Sequence, residues 1–138
     1  MRAGSLIAAV ALVGAGGCVG SVLRFLLSLA AQRCEISFPH GTLWANWAGC
    51  FLIGLLTALA ASTEILSPSM RLLLTTGFCG GFTTMSTFVY ELLQFVRDRE
   101  YYYAGAYLVM TVLGCVVMFC LGTLLTQWAI RPGAKPWS

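Results

Sequence analysis

Charged residues are scarce in this chain. Lysine, arginine, aspartate and glutamate make up 9% of its 138 residues, whereas a typical soluble domain contains about a quarter. Apolar residues make up 59%, and the mean hydropathy is +0.84. This composition excludes an ordinary soluble domain. It predicts an all-α integral membrane protein, because helices satisfy their own backbone hydrogen bonds within a bilayer.

Metal-binding and catalytic groups are also sparse. His40 is the only histidine, and one imidazole cannot supply both axial ligands of a haem in a helical bundle. The six cysteines form no C-x-x-C pair, and we interpret the five that lie within apolar runs as small buried apolar residues. No nucleophile stands beside a base, and we therefore predict that the chain is not an enzyme. We expect a lipid bilayer around it and no nucleic-acid partner.

Four apolar runs are long enough to span a bilayer, which takes about 20 residues of helix. They cover roughly residues 5–31, 43–65, 72–95 and 104–130. The connections between them are short, so consecutive helices are expected to run antiparallel. Residues 1–138 are therefore predicted to form a single membrane domain with both termini on one side.

The positive charges are almost evenly divided between the two sides of this arrangement. Apart from Arg24, the side of the termini holds Arg2, Arg71, Arg131 and Lys135, and the other side holds Arg33, Arg97 and Arg99. Lysine and arginine bias sets the orientation of membrane proteins. The near balance leaves two readings open: insertion in both orientations, or one orientation with cytoplasmic termini.

The third run contains the densest polar stretch. Gly77, Gly80 and Gly81 weaken a helix there, and the hydroxyls that follow can bond to freed backbone groups. We predict a break near residues 80–84. Carbonyl oxygens released by a break could hold a cation; the alternative is a kinked, continuous helix closed by serine and threonine side chains.

Isolated polar residues in the other runs each allow two interpretations. Arg24 either reaches the headgroups as an anchor or attracts anions at a vestibule. Thr42 and Asn46 share one helix face, where Asn46 either donates to an anion or bonds across helices. Glu91 is either a boundary residue or a buried hydrogen-bond acceptor.

Small residues recur at helix-packing spacing. Gly16 and Gly20 form one small-xxx-small pair, and Gly77 and Gly81 form another. Such pairs let helices approach closely in lipid. Gly80 and Gly81 are set apart from this packing role because they belong to the predicted break. Since four short helices enclose little interior, self-association is the expected way to hide the polar side chains.

Two segments carry a resemblance to a known family. GTLWANWAGCFLIGLL from Gly41 and GFCGGFTTMSTFVYE from Gly77 closely resemble the Fluc (CrcB-type) fluoride channel family, and the match in spacing covers nearly the whole chain. The resemblance implies four-helix subunits with a broken third helix. It further implies an antiparallel, dual-topology homodimer with two fluoride pores and a structural sodium ion that is not transported.

The resemblance also assigns roles to residues of this sequence. The backbone carbonyls of Gly80 and Thr83 are expected to hold the sodium ion, Arg24 to lie at a vestibule, and Glu91 to act as a structural acceptor. The expected fluoride pore residues are Asn46, Phe88, Met85, Thr42, Ser86, Thr87, Tyr107 and Thr111. The sequence departs from the family pattern at two positions. Met85 replaces the first phenylalanine of an aromatic pair. Cys115 replaces a hydroxyl in the row of polar residues along the fourth run, which also contains Tyr107 and Thr111.

These features predict a passive, fluoride-selective channel in the bacterial inner membrane that exports fluoride and reduces its toxicity. The alternative is a small proton-coupled multidrug exporter, which would also have four short helices and a dual-topology dimer. Such an exporter needs a carboxylate in its first helix, where this chain has only Arg24. A non-transporting scaffold would leave the polar residues at 80–87 unexplained.

Overall fold

The computed structural model describes residues 3–32 and 38–130. In these ranges the chain is helical and has no strand. Its elements are α1 (Ala3–Gln32), α2 (His40–Ser62), α3 (Pro68–Arg71), a π-helix (Leu72–Cys79), α4 (Gly80–Phe82), α5 (Met85–Arg97) and α6 (Tyr101–Ile130). Four stretches are long and apolar enough to cross a membrane: α1, α2, the composite run Pro68–Arg97, and α6. The all-α, four-span prediction is confirmed.

Polar and proline residues at the turns set the helix bounds. Pro39 caps α2, which begins three residues before the apolar run that marked it in the sequence. The hydroxyl of Ser67 accepts the Met70 amide at 3.2 Å and Pro68 opens α3, so the third span starts four residues earlier than residue 72. Proline favours a first helical turn because its φ angle is already helical. An apolar pattern misses such polar first turns.

The third span becomes irregular directly after α3. Leu72–Cys79 is π-helical, whereas the sequence suggested a regular helix from residue 72. A π-turn is wider than an α-turn and is often found at functional sites. The apolar pattern could not reveal it, because a run that is apolar on all sides has no visible period.

The predicted break in this span is present at Thr83 and Thr84. Thr83 has φ −82° and ψ 155°, and Thr84 has φ −149° and ψ 121°, so both are extended. The helix resumes at Met85. Two extended residues interrupt the backbone ladder in the middle of a membrane-spanning run.

Two helix pairs hold the bundle together around this break. The most extensive contact joins α2 and α6, where Gly54 packs against the Phe119 carbonyl and Gly122 packs against the Phe51 carbonyl. Both glycines are buried. A side chain at either one would collide with backbone, so the small residue is what permits the close approach.

The second pair joins α1 to the π-helix and α4. Gly77 packs against Gly16, as the predicted small-xxx-small pairs require. Gly81, which the sequence reasoning set apart from packing, lies against the backbone of Gly17. The expectation for Gly81 was therefore incomplete, because its partner lies on another helix. Gly80 faces open space.

Candidate functional site

Asn46 holds the break in place. Its Oδ1 accepts the backbone N–H of Thr84 at 2.8 Å, and its Nδ2 donates to the Thr84 carbonyl at 3.1 Å. The side chain is 6% exposed, so these bonds satisfy backbone groups that water does not reach. An asparagine amide has two N–H donors, and the Thr84 carbonyl uses one of them.

This clamp releases backbone carbonyls at the break. In a continuous α-helix the Thr84 amide would bond to the Gly80 carbonyl and the Thr87 amide to the Thr83 carbonyl. Here the Thr84 amide donates to Asn46, and the Thr87 amide donates to the Thr84 hydroxyl at 3.2 Å. Gly80 is also exposed. The Gly80 and Thr83 carbonyls, which the sequence predicted to bind sodium, thus lack the amide partners that a continuous helix would give them.

Arg24 contacts the same break. Its Nε donates to the Gly81 carbonyl at 3.3 Å, replacing the Met85 amide that would bond there in a continuous helix. The guanidinium is half-buried. The sequence interpretations placed Arg24 at a headgroup or a vestibule, and neither included this contact, because Gly81 lies 57 residues away along the chain.

A groove of about 380 Å³ runs along the break between α2, α5 and α6. Its lining includes the predicted site residues Asn46, Thr83, Met85, Phe88 and Thr111. The hydroxyl oxygen of Thr111 is buried and has no hydrogen-bond partner among the described residues. Since a buried hydroxyl without a partner is costly, Thr111 is a polar group suited to a ligand in the groove.

Thr42, Glu91 and Tyr107 form a second polar group. The Thr42 hydroxyl donates to Glu91 Oε1 at 2.8 Å, and the Tyr107 hydroxyl donates to Glu91 Oε2 at 2.7 Å. Tyr107 is fully buried. Thr42 and Glu91 also line a separate cavity of about 190 Å³ beside His40. The carboxylate is therefore a half-buried acceptor held by two hydroxyls.

Phe88 connects these two polar groups. It is 2% exposed and lines the groove, and its ring centroid lies 5.1 Å from that of Tyr107. Tyr107 in turn lies one helical turn before Thr111. The order from the small cavity to the groove is thus hydroxyls and a carboxylate, then aromatic rings, then the free Thr111 hydroxyl.

Ser86 and Thr87 lie at the start of α5. The Thr84 hydroxyl contacts the Ser86 hydroxyl at 3.2 Å and donates to the Thr87 hydroxyl at 3.0 Å. With the Thr87 amide bond, these contacts cap the resumed helix. The structure therefore places both residues in the cap, whereas Met85 beside them is 70% exposed and borders the groove.

Polar groups gathered at a broken membrane span are typical of membrane transport proteins. Residues 11–123 match the model of the family described as "CrcB-like protein, Camphor Resistance (CrcB)". The chain belongs to this CrcB family, which confirms the resemblance.

Bacterial relatives match almost end to end. The protein named "Fluoride-specific ion channel FluC" of Chlorobium phaeobacteroides strain BS1 is 47% identical over 123 residues, which cover 88% of this chain and 96% of that protein. The protein of the same name from Chlorobaculum tepidum is 50% identical over 118 residues, 86% of this chain and 94% of that protein. A third from Prosthecochloris aestuarii is 44% identical over 119 residues, 86% and 93% respectively.

Proposed function

We infer that this chain is a fluoride-selective ion channel that lets fluoride leave the cytoplasm passively and so reduces fluoride toxicity. The observation that carries this inference is the buried, unpartnered Thr111 hydroxyl, which shares a groove with Asn46 and Phe88. Relatives that align over most of the chain are named as fluoride-specific ion channels, a class that is not enzymatic.

The groove offers fixed donors in place of the hydration shell of a small anion. The Thr111 hydroxyl and the second N–H of Asn46 are polar donors, and the edge of the Phe88 ring carries the positive part of its quadrupole. Asn46 is held rigid by its two bonds to Thr84. Rigid donors in a narrow pathway favour a small anion over a larger one such as chloride.

The membrane potential is a sufficient driving force. A negative interior expels a monovalent anion with about 2.3 kcal/mol per 100 mV, so a passive pathway lowers cytoplasmic fluoride. We place the protein in the bacterial inner membrane. Helical spans support this location, because outer-membrane proteins cross as β-barrels.

We propose that two copies assemble as an antiparallel, dual-topology homodimer. The near balance of arginine and lysine supports both insertion directions, and the open face at Gly80 offers room for a second copy. Adding several lysines to the loop at Arg97 should force one orientation and abolish flux. An oppositely biased partner should restore it, and full activity of either biased form alone would contradict the antiparallel dimer.

We propose further that a structural sodium ion lies between the subunits, held by the Gly80 and Thr83 carbonyls of both. Carbonyls of unwound membrane helices are suitable sodium ligands, and their helical amides are engaged elsewhere. No group of three histidine, cysteine or acidic side chains in the described ranges offers another metal site. When bound, the ion would neutralise converging carbonyl dipoles. If the dimer melts at the same temperature in sodium and in N-methylglucamine, that result would contradict the sodium site.

Ion efflux from liposomes tests the function. Purified protein should release fluoride rapidly, release little chloride, and leave a cationic drug inside. Uptake of the drug driven by a proton gradient would instead support the multidrug exporter. The absence of any flux from correctly folded protein would support a scaffold.

A further inference from the structure

Three sulfur-containing residues from three helices line the groove. Cys50 of α2, Met85 of α5 and Cys115 of α6 all contribute to its lining. Cys50 lies one turn after Asn46, and Cys115 lies one turn after Thr111. Met85 and Cys115 are also the two positions at which the pore of this chain departs from the family pattern. Both departures bring sulfur to the same cavity.

The two thiols are suitably placed to act together. Cys50 and Cys115 are both free and half-buried, and their side chains interact across the contact between α2 and α6. Met85 is 70% exposed, and a methionine side chain adapts readily because it is long and unbranched. A third thiol, that of Cys79, lies near Cys50 but is fully buried and is not part of the groove lining.

We propose that Cys50, Cys115 and Met85 form a binding site for one soft monovalent cation of the copper(I) or silver(I) class. Thiolate and thioether sulfur select such ions over hard cations. On binding, each thiol releases its proton to the solvent and its sulfur bonds to the metal, and the thioether donates a lone pair. No atom changes oxidation state, so neither an oxidant nor a reductant is needed.

The bound cation closes the fluoride pathway. This step rests on the proposed function. Two neutral thiols become two thiolates around one positive ion, so the net charge of the site changes from zero to minus one. The site then repels an anion and also fills the space beside Asn46 and Phe88. Because thiols must lose protons, binding strengthens as the pH rises.

Silver bound to full-length protein, measured by elemental analysis in chloride-free detergent solution, tests the site itself. The double variant Cys50→Ala/Cys115→Ala should bind one silver ion per subunit fewer than the wild type, and Met85→Leu should bind that ion severalfold more weakly. Cys79→Ala is the matched control and should bind the same number as the wild type. Equal binding by the wild type and the double variant would overturn the site.

Fluoride efflux before and after silver addition, compared within each variant, tests the closure. Silver should slow efflux through the wild type and Cys79→Ala severalfold, because the bound ion occupies a narrow pathway. It should leave Cys50→Ala/Cys115→Ala at its own starting rate. Slowing of that variant, or silver binding without slowing in the wild type, would overturn the closure. A wild type with no fluoride flux before silver would refute the proposed function, while the binding measurement still judges the site.

Discussion

The seam between α2 and α6 and the break in the third span handle backbone polarity in opposite ways. At the seam, continuous helices satisfy their own hydrogen bonds, and Gly54 and Gly122 bring them together. At the break, the helix gives up its ladder, and side chains from other helices take over: Asn46 bonds to Thr84, and Arg24 bonds to Gly81.

The difference teaches where function can be placed in so small a membrane protein. At the break, backbone donors and acceptors are released from the helical ladder, so an ion pathway can form there. At the seam the backbone stays in continuous helices, and the close contact at Gly54 and Gly122 supplies rigidity. Substitutions at the seam should therefore act through folding, and substitutions at the break should act through ion flux.

Gly122→Val should have the largest effect. A Cβ at this position overlaps the Phe51 carbonyl, and backbone cannot move aside as a side chain can. We therefore expect the free energy of unfolding to fall by about 3 kcal/mol or more. Little folded protein should elute on size exclusion. Gly105→Val, on the same helix but facing open space, should behave as the wild type. A well-folded Gly122→Val protein would show that the seam tolerates separation.

Asn46→Asp should abolish fluoride flux in an assembled protein. The carboxylate keeps an acceptor for the Thr84 amide, but it loses the Nδ2 donor and turns an oxygen toward the Thr84 carbonyl. It also places a negative charge in the groove. Liposome efflux measures the fluoride flux, and size exclusion checks that the variant is folded and assembled. Normal flux would remove Asn46 from the pathway.

Phe88→Ala should remove most of the flux, while Met85→Phe should preserve or raise it. Phe88 is buried against Tyr107 and borders the groove, whereas Met85 is exposed and offers no ring edge to an anion. Efflux with sodium on both sides distinguishes the two. Wild-type flux in Phe88→Ala, or complete loss in folded Met85→Phe, would mean that the aromatic residues do not organise the pore.

Thr126→Val should have the smallest effect. The Thr126 hydroxyl donates to Leu55 across the seam at 3.3 Å and to Gly122 in its own helix at 3.1 Å. Hydrogen bonds between membrane helices contribute about 0.6 kcal/mol on average, so only a slightly lower melting temperature and unchanged flux are expected. A large loss of flux would show that the contact between α2 and α6 takes part in the ion pathway.

The broken span illustrates how far sequence reasoning reaches. Glycines followed by hydroxyl residues predicted an interruption near residues 80–84, because both act on the helix locally. The residues that stabilise it were harder to foresee. Asn46 lies 38 residues from Thr84 along the chain. Of its two sequence interpretations, the bond across helices is present in the structure, and donation to an anion stays a prediction.

The groove lined by Cys50, Met85 and Cys115 shows what sequence reasoning could not predict. The sequence marked Met85 and Cys115 as departures, yet it read Cys50 as an ordinary small apolar residue. Nothing in the local pattern joins positions 50, 85 and 115. Their proximity depends on which faces of α2, α5 and α6 meet, and helices that are apolar all round give no indication of this.

The sequence by itself determined that the chain is helical, that it spans a bilayer four times and that its third span is interrupted. These properties follow from the thickness of hydrocarbon, from backbone hydrogen bonding and from local helix propensity, which act over one helix at a time. Only the tertiary structure decided which polar groups meet: Asn46 with Thr84, Arg24 with Gly81, Glu91 with Thr42 and Tyr107. The reason is physical: these bonds join residues on different helices, and their geometry depends on how each helix is rotated and paired.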